Sequence, residues 1–138
     1  MDAKRAIIRI RTETDDPAAA AETSVAGEIT RTPEGVLLHY TEYLEEDATR
    51  VRLHARPGRA LMRREGDWST VLRFDEGVRR ESRYQTPFGA LAVAVCAREV
   101  WLEGDEEAGT LRLDYELLLA GNEPDRRRLT IRWEAAPC

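Results

Sequence analysis

Apolar residues in this chain almost never recur at the spacing of about three to four residues that marks a helix face. They alternate with polar ones, most clearly in Arg50-Val51-Arg52-Leu53-His54-Ala55-Arg56. Successive side chains of a strand leave by opposite faces, so a period of two means one face buried and one face wet. The pattern predicts antiparallel β-strands and leaves no stretch for a layer of helices.

Turn residues divide the alternation into segments. Strands are predicted at Arg5 to Glu13, Thr23 to Arg31, Val36 to Leu44, Thr49 to Arg56, Ala60 to Arg64, Trp68 to Phe74, Val78 to Thr86, Ala90 to Glu103, Thr110 to Leu119 and Arg127 to Ala135. In the first, Ile8 and Ile10 share one face, and Ile7, Arg9 and Arg11 the other. Asp16-Pro17 and the alanines that follow suit one helical turn, with Asp as cap and Pro at the first position, or a loop. Glu45-Glu46-Asp47 reads as a solvated turn, and Pro33-Glu34-Gly35, Pro57-Gly58, Glu65-Gly66-Asp67, Asp75-Glu76-Gly77 and Pro87-Phe88-Gly89 as reversals.

Connections of about two to six residues force sequential strands to pair antiparallel, as a meander. One flat sheet of so many strands would leave a greasy face and two sticky edges open, so the meander must curl. The expected fold is all-β: a closed antiparallel meander barrel of about eight to ten strands. Nothing divides the chain, so residues 1–138 are read as one barrel domain.

Composition narrows the function classes. A net charge of −5 opposes a general nucleic-acid role, which calls for a basic balance. The longest near-continuous apolar run, Phe88 to Ala97, is too short to cross a bilayer as a helix, so no membrane partner is expected. No basic segment followed by an apolar one opens the chain, which points by default to the cytoplasm. Two cysteines, Cys96 and Cys138, are no disulfide framework; Cys96 is expected to be a small buried hydrophobe and Cys138 an exposed end. Lys4 is the only lysine among 21 basic residues, and codon composition of a GC-rich genome is the simplest account.

Several short motifs follow one another in a telling order: Leu38-His39-Tyr40 with Glu42, Leu61-Met62-Arg63-Arg64-Glu65-Gly66, and Arg73-Phe74 with Gly77. Tyr84-Gln85-Thr86-Pro87-Phe88-Gly89-Ala90-Leu91 is the strongest, and Leu111 to Leu117 and Leu129 to Trp133 complete the set. In these pieces, from about Val36 onward, the chain resembles the YwiB-like family of uncharacterised bacterial proteins. The resemblance implies a calycin (lipocalin-like) barrel. It implies no activity, so no catalytic residue is carried over.

The Tyr84 to Leu91 element also has a reading of its own. Pro87 cannot donate to a ladder and Gly89 tolerates unusual backbone angles, so together they mark a corner between strands. Tyr84 and Thr86 share a face there, beside Phe88. They form either an architectural hinge or a polar and aromatic lip at a barrel mouth. In the run after it, Leu91, Val93 and Val95 take one face while Ala90, Ala92, Ala94 and Cys96 take the other. The small face could leave room for a ligand inside, lie outside against another chain, or pack inside against large residues.

Arg50, Arg52, Arg56, Arg112 and Arg132 lie opposite apolar faces. Glu116 and Glu134 share the parity of Arg112 and Arg132, so ion pairs are expected along the outer wall. An anion-binding stripe within the lumen is the alternative. Arg126-Arg127-Arg128 reads as a charged strand start. His39 and His54 lack further ligands at metal spacing. No nucleophile elbow or phosphate loop is present, so no catalytic residue, cofactor or metal is expected. The three tryptophans are expected to fill the core or the barrel ends. The favoured reading is a non-catalytic binding protein for a small, largely apolar molecule, with Tyr84, Thr86 and Phe88 at the lip and Tyr115 and Trp133 on neighbouring walls. The alternative is an interaction module with a filled barrel, dimerising through Ala90, Ala92 and Ala94. An enzyme of unknown class ranks third.

Overall fold

The computed structural model describes residues 3–44 and 47–137. Ten strands carry most of them: β1 (Lys4–Thr14), β2 (Ala21–Arg31), β3 (Val36–Leu44), β4 (Asp47–Arg56), β5 (Arg59–Glu65), β6 (Thr70–Asp75), β7 (Arg79–Thr86), β8 (Gly89–Gly104), β9 (Ala108–Leu119) and β10 (Asp125–Ala135). The alanines after Pro17 do form a short helical turn, Pro17–Ala19, whose Ala18 N–H donates to the Asp16 carboxylate at 3.0 Å. The expected Glu45-Glu46 turn lies outside the described residues, as does Cys138. Trp68, expected to open a strand, instead sits in a turn clasped by Gly66 and Ser69, whose hydroxyl donates to the Gly66 carbonyl at 2.9 Å.

The strands run in the order β6-β5-β4-β3-β2-β1-β10-β9-β8-β7, and every ladder is antiparallel. The chain winds outward from β1 to β6, then returns through β7 to place β10 against the far side of β1, in register from Ala6 opposite Ala135 to Thr14 opposite Arg127. The result is a nearly closed barrel. Among the described residues the loose join lies between β6 and β7, which are consecutive but form no ladder, only the isolated bridges Ser69–Gln85 and Asp75–Val78 and side-chain links such as the Thr70 hydroxyl donating to the Arg83 carbonyl at 2.8 Å. This departs from the expectation that every pair of sequential strands zips together.

The reason lies in β8. Its register shifts between Ala97 and Glu99, a bulge that bends the strand, and its second half runs past the end of β7. The edge groups so exposed need partners. The turns supply them: Gly77 N–H donates to Ala97 carbonyl at 2.9 Å, Gly58 N–H to Val100 carbonyl at 3.1 Å, and Val100 N–H to the Glu76 carboxylate at 2.8 Å. Beside this docking point the Asp75 side chain is only 9% exposed, and its carboxylate meets Arg80 Nε at 2.5 Å and Arg59 Nε at 2.6 Å.

Inward positions follow the alternation. Ala6, Ile8 and Ile10 of β1, Val51, Leu53 and Ala55 of β4, and Leu111 and Leu113 of β9 are buried, with Ile7, Arg9 and Arg11 outside. Phe74 fills the middle, its ring meeting Tyr115 edge-on at 4.9 Å between centroids. Each such side chain removed from water contributes roughly 1.5–3 kcal/mol. The lower part of the lumen is therefore solid.

One of the three places open for the small face of β8 is the one observed, and the expectations for Cys96, the tryptophans and the ion-pair partners are corrected. The bulky face of β8 (Val93, Val95) points in, so the small face of Ala90, Ala92, Ala94 and Cys96 is the outer wall; Cys96 is half-buried there rather than a core residue, and Ala94 is buried, so of the three alanines expected at a dimer contact only Ala90 and Ala92 are exposed. The bulge then flips the phase so that Val100 and Leu102 point in and Trp101 points out, beneath the Arg112 guanidinium at 4.9 Å. Of the tryptophans only Trp133 fills a barrel end. Ion pairs do line the outer wall, but the carboxylates facing Arg112 and Glu116's own arginine come from β8: Glu99 at 3.9 Å and Arg98 at 3.3 Å.

Candidate functional site

The strands enter and leave by two unlike ends. At the lower end Trp133 plugs the lumen, its indole N–H donating to the Asp105 carbonyl at 2.7 Å. A Cβ on Gly109 would run into the Trp133 ring and the Glu103 carbonyl, so only glycine lets the strand pass so close. The upper end stays open. There a cleft of about 430 Å³ is bordered by aliphatic side chains (Met62, Leu72, Leu117, Leu129), aromatic ones (Tyr40, Trp68, Tyr84, Tyr115) and charged ones (Glu42, Arg64, Arg127).

The same alternation builds it. In β3 the inward positions run Val36, Leu38, Tyr40 and then Glu42; in β5 they run Ala60, Met62 and then Arg64; in β10 Leu129 gives way to Arg127. In these three strands the inner face is apolar at the closed end and turns charged as it nears water. Arg64 and Glu42 meet across β4, Nη2 to Oε2 at 2.6 Å, with side chains only 20% and 19% exposed. Burial opposes the Arg64 charge, but the hydrogen bond and charge of Glu42 outweigh it and hold the guanidinium firmly protonated. Arg127 Nε donates to Asp125 at 2.8 Å on the facing wall.

Tyr40 and Tyr115 form the floor. Burial, and after it the Glu42 carboxylate, pushes the Tyr40 phenol well above its ordinary range; burial likewise raises Tyr115. Tyr84 stands on the wall against Trp68, edge-on with centroids 6.0 Å apart. Chemically this is an apolar cup with a wet, paired-charge rim. It offers hydrogen-bond donors and aromatic faces.

Of the residues singled out from sequence, Tyr84 and Tyr115 border the cleft together. Thr86 sits above it, its hydroxyl spent on the turn: it donates to the Gly89 carbonyl at 2.8 Å and accepts from Phe88 N–H at 3.0 Å. Phe88 lies at the hairpin tip, 94% exposed, and Trp133 lies at the opposite end of the barrel. Sequence reasoning missed Tyr40, Glu42, Arg64, Trp68 and Arg127. A signal was there: a charge at core parity in the last turn-ward position of an otherwise apolar face marks where a strand leaves the lumen. His39 and His54 lie on the outer wall of β3 and β4, two register positions apart, since His39 faces Arg52 and His54 faces Leu37. No helix among the described residues is long and apolar enough to cross a membrane.

Among curated proteins none matches this chain. Its fold is similar to that of the YwiB protein from Bacillus subtilis, known from a crystal structure: the TM-score is 0.86 at 20% identity, covering 98% of this chain and 94% of that one. Identity that low speaks for the shared fold alone. Residues 7–131 match the family described as a domain of unknown function, DUF1934. With the match spanning nearly its whole length, the chain belongs to that family of YwiB-like barrels.

Proposed function

We propose that the protein is a non-catalytic binder that takes a small, largely apolar molecule into the upper mouth of the barrel. The observation that carries this reading is the cleft itself, about 430 Å³ of space over an aliphatic and aromatic floor in a barrel otherwise packed solid. Ligand pockets commonly occupy roughly 300–1,000 Å³ and combine an apolar lining with a few placed polar groups. Tyr40 and Tyr115 would meet the apolar body, and Arg64 and Arg127 would face its polar end.

Trp68 provides the probe, because it borders the cleft while Trp133 is sealed below. Native mass spectrometry should find a retained small molecule, and apolar aromatic ligands should change the tryptophan fluorescence of the wild type but not of Trp68→Phe. No retained mass and no saturable change with any ligand would refute the reading.

A second reading rests on the outer wall of β8. Ala90 and Ala92 lie exposed beside the protruding Phe88, a shallow apolar surface on a hairpin reaching past the mouth. A second copy of the chain would cover it. Sedimentation should then give a dimer that Ala92→Arg dissociates, and a monomer at every concentration would dispose of it.

A further inference from the structure

The barrel's outer wall carries a hollow of about 530 Å³ over β1, β2, β9 and β10, bordered by Arg9, Arg11, Arg112, Arg128 and Arg132, with Glu13 and Glu22 at its Arg11 edge. Their places follow from the register. Arg9 lies directly across from Arg132. One row along, Arg11 faces Thr130, which on its other side faces Arg112. Thr130 points outward yet is buried, because the stems of these arginines flank it.

Carboxylates account for part of this charge. Arg11 pairs with Glu13 at 3.0 Å and Glu22 at 3.5 Å, Arg128 with Asp114 at 3.5 Å, and Arg112 lies on Trp101 with Glu99 at 3.9 Å. Arg9 and Arg132 have no carboxylate within ion-pair reach among the described residues. Like charges directly opposite on paired strands repel and destabilise a sheet. In a chain of net charge −5, two uncompensated arginines face to face inside an arginine-rimmed hollow are a local conflict of the kind that marks a site.

We propose that this hollow binds a phosphate group, held between the guanidiniums of Arg9 and Arg132 with the Thr130 hydroxyl beneath and Arg11 and Arg112 at the sides. A phosphate monoester or inorganic phosphate brings a charge approaching −2 and several acceptor oxygens, which matches two opposed forks; a single carboxylate satisfies only one. Opposition alone is not the argument. Arg52 and Arg63 also face one another, on β4 and β5, outside this hollow; Arg50 opposite Glu65 fills one adjoining row, and His54, Leu61 and Arg73 fill the other. That pair is the internal control.

The test is thermal unfolding with sodium phosphate, ionic strength being held constant with sodium chloride, together with calorimetric titration. Phosphate should raise the melting temperature saturably, as a ligand of the folded state does, and chloride should not. Arg9→Gln and Arg132→Gln should each weaken phosphate affinity by about tenfold to a hundredfold. Both should melt no lower than the wild type in phosphate-free buffer, since each relieves the repulsion. Arg63→Gln should leave the phosphate response intact. Glycerol phosphate distinguishes the sources: tighter binding than inorganic phosphate points to a phosphate ester, weaker binding to the free ion. The proposal is overturned if phosphate gives no saturable shift, if either Arg9→Gln or Arg132→Gln keeps the full response, or if Arg63→Gln loses it.

Discussion

Replacing Asp75 by Asn tests how the loose join between β6 and β7 is held. The side chain is 9% exposed and its carboxylate sits between Arg80, which donates to Oδ2 at 2.5 Å, and Arg59, whose Nε stands 2.6 Å from Oδ1 as a charge contact off the line of a hydrogen bond. The asparagine keeps the shape and loses the charge. Breaking a fully buried pair costs about 3–5 kcal/mol, and a charged hydrogen bond contributes about 1.5–3 kcal/mol. Both guanidiniums are more than a third exposed, so solvent screens them and the lower range applies. The expected loss is about 2 kcal/mol by urea unfolding, a drop in melting temperature of about 5–10 °C.

The pH dependence supplies a second readout. Burial raises the Asp75 pKa, but the Arg80 hydrogen bond and the charges of Arg59 and Arg80 outweigh it, so the carboxyl is held below its ordinary value in the fold. A depressed folded pKa stabilises above the unfolded value of about 3.9 and is lost as pH falls through the folded one. The gap between wild type and Asp75→Asn should therefore be full at neutral pH and close in the acid limb below about pH 4. A gap under about 0.5 kcal/mol at neutral pH, the size of an ordinary surface change, would refute the reasoning, as would a gap that persists undiminished into the acid limb.

Phe74→Ala should cost about 3–5 kcal/mol, because Phe74 is fully enclosed and Tyr115 loses its partner ring; denaturant titration measures it. Arg64→Met should destabilise by about 2–3 kcal/mol by leaving the Glu42 carboxylate half-buried and alone, whereas the double variant Glu42→Leu/Arg64→Met should match the wild type or exceed it. A double-mutant cycle reads the difference. Because Tyr40 stays protonated in the fold beyond its unfolded pKa of about 10, stability should fall as pH rises above that value. Tyr40→Phe should flatten this alkaline limb in pH-dependent unfolding.

The strand spans and their inner faces were legible in the sequence because alternation is a local property. A pleated backbone converts it directly into two faces, and the turn residues mark each reversal within a residue or two, as Val36–Leu44 illustrates. The need to curl followed from the count of strands. The phase of β8 was not legible: one extra residue near Arg98 turns Trp101 outward, and a bulge shows only when the partner strand is in place. Nor was the join, since β6 and β7 part company to let turns dock on β8. The cleft depends on such distances too. Glu42 and Arg64 lie on strands separated by β4, and only the curvature of the wall brings their ends to 2.6 Å. Alternation along the chain thus determined what each strand hides, while closure of the sheet decided which hidden charges meet, because pairing across a lumen depends on register and curvature that no single segment contains.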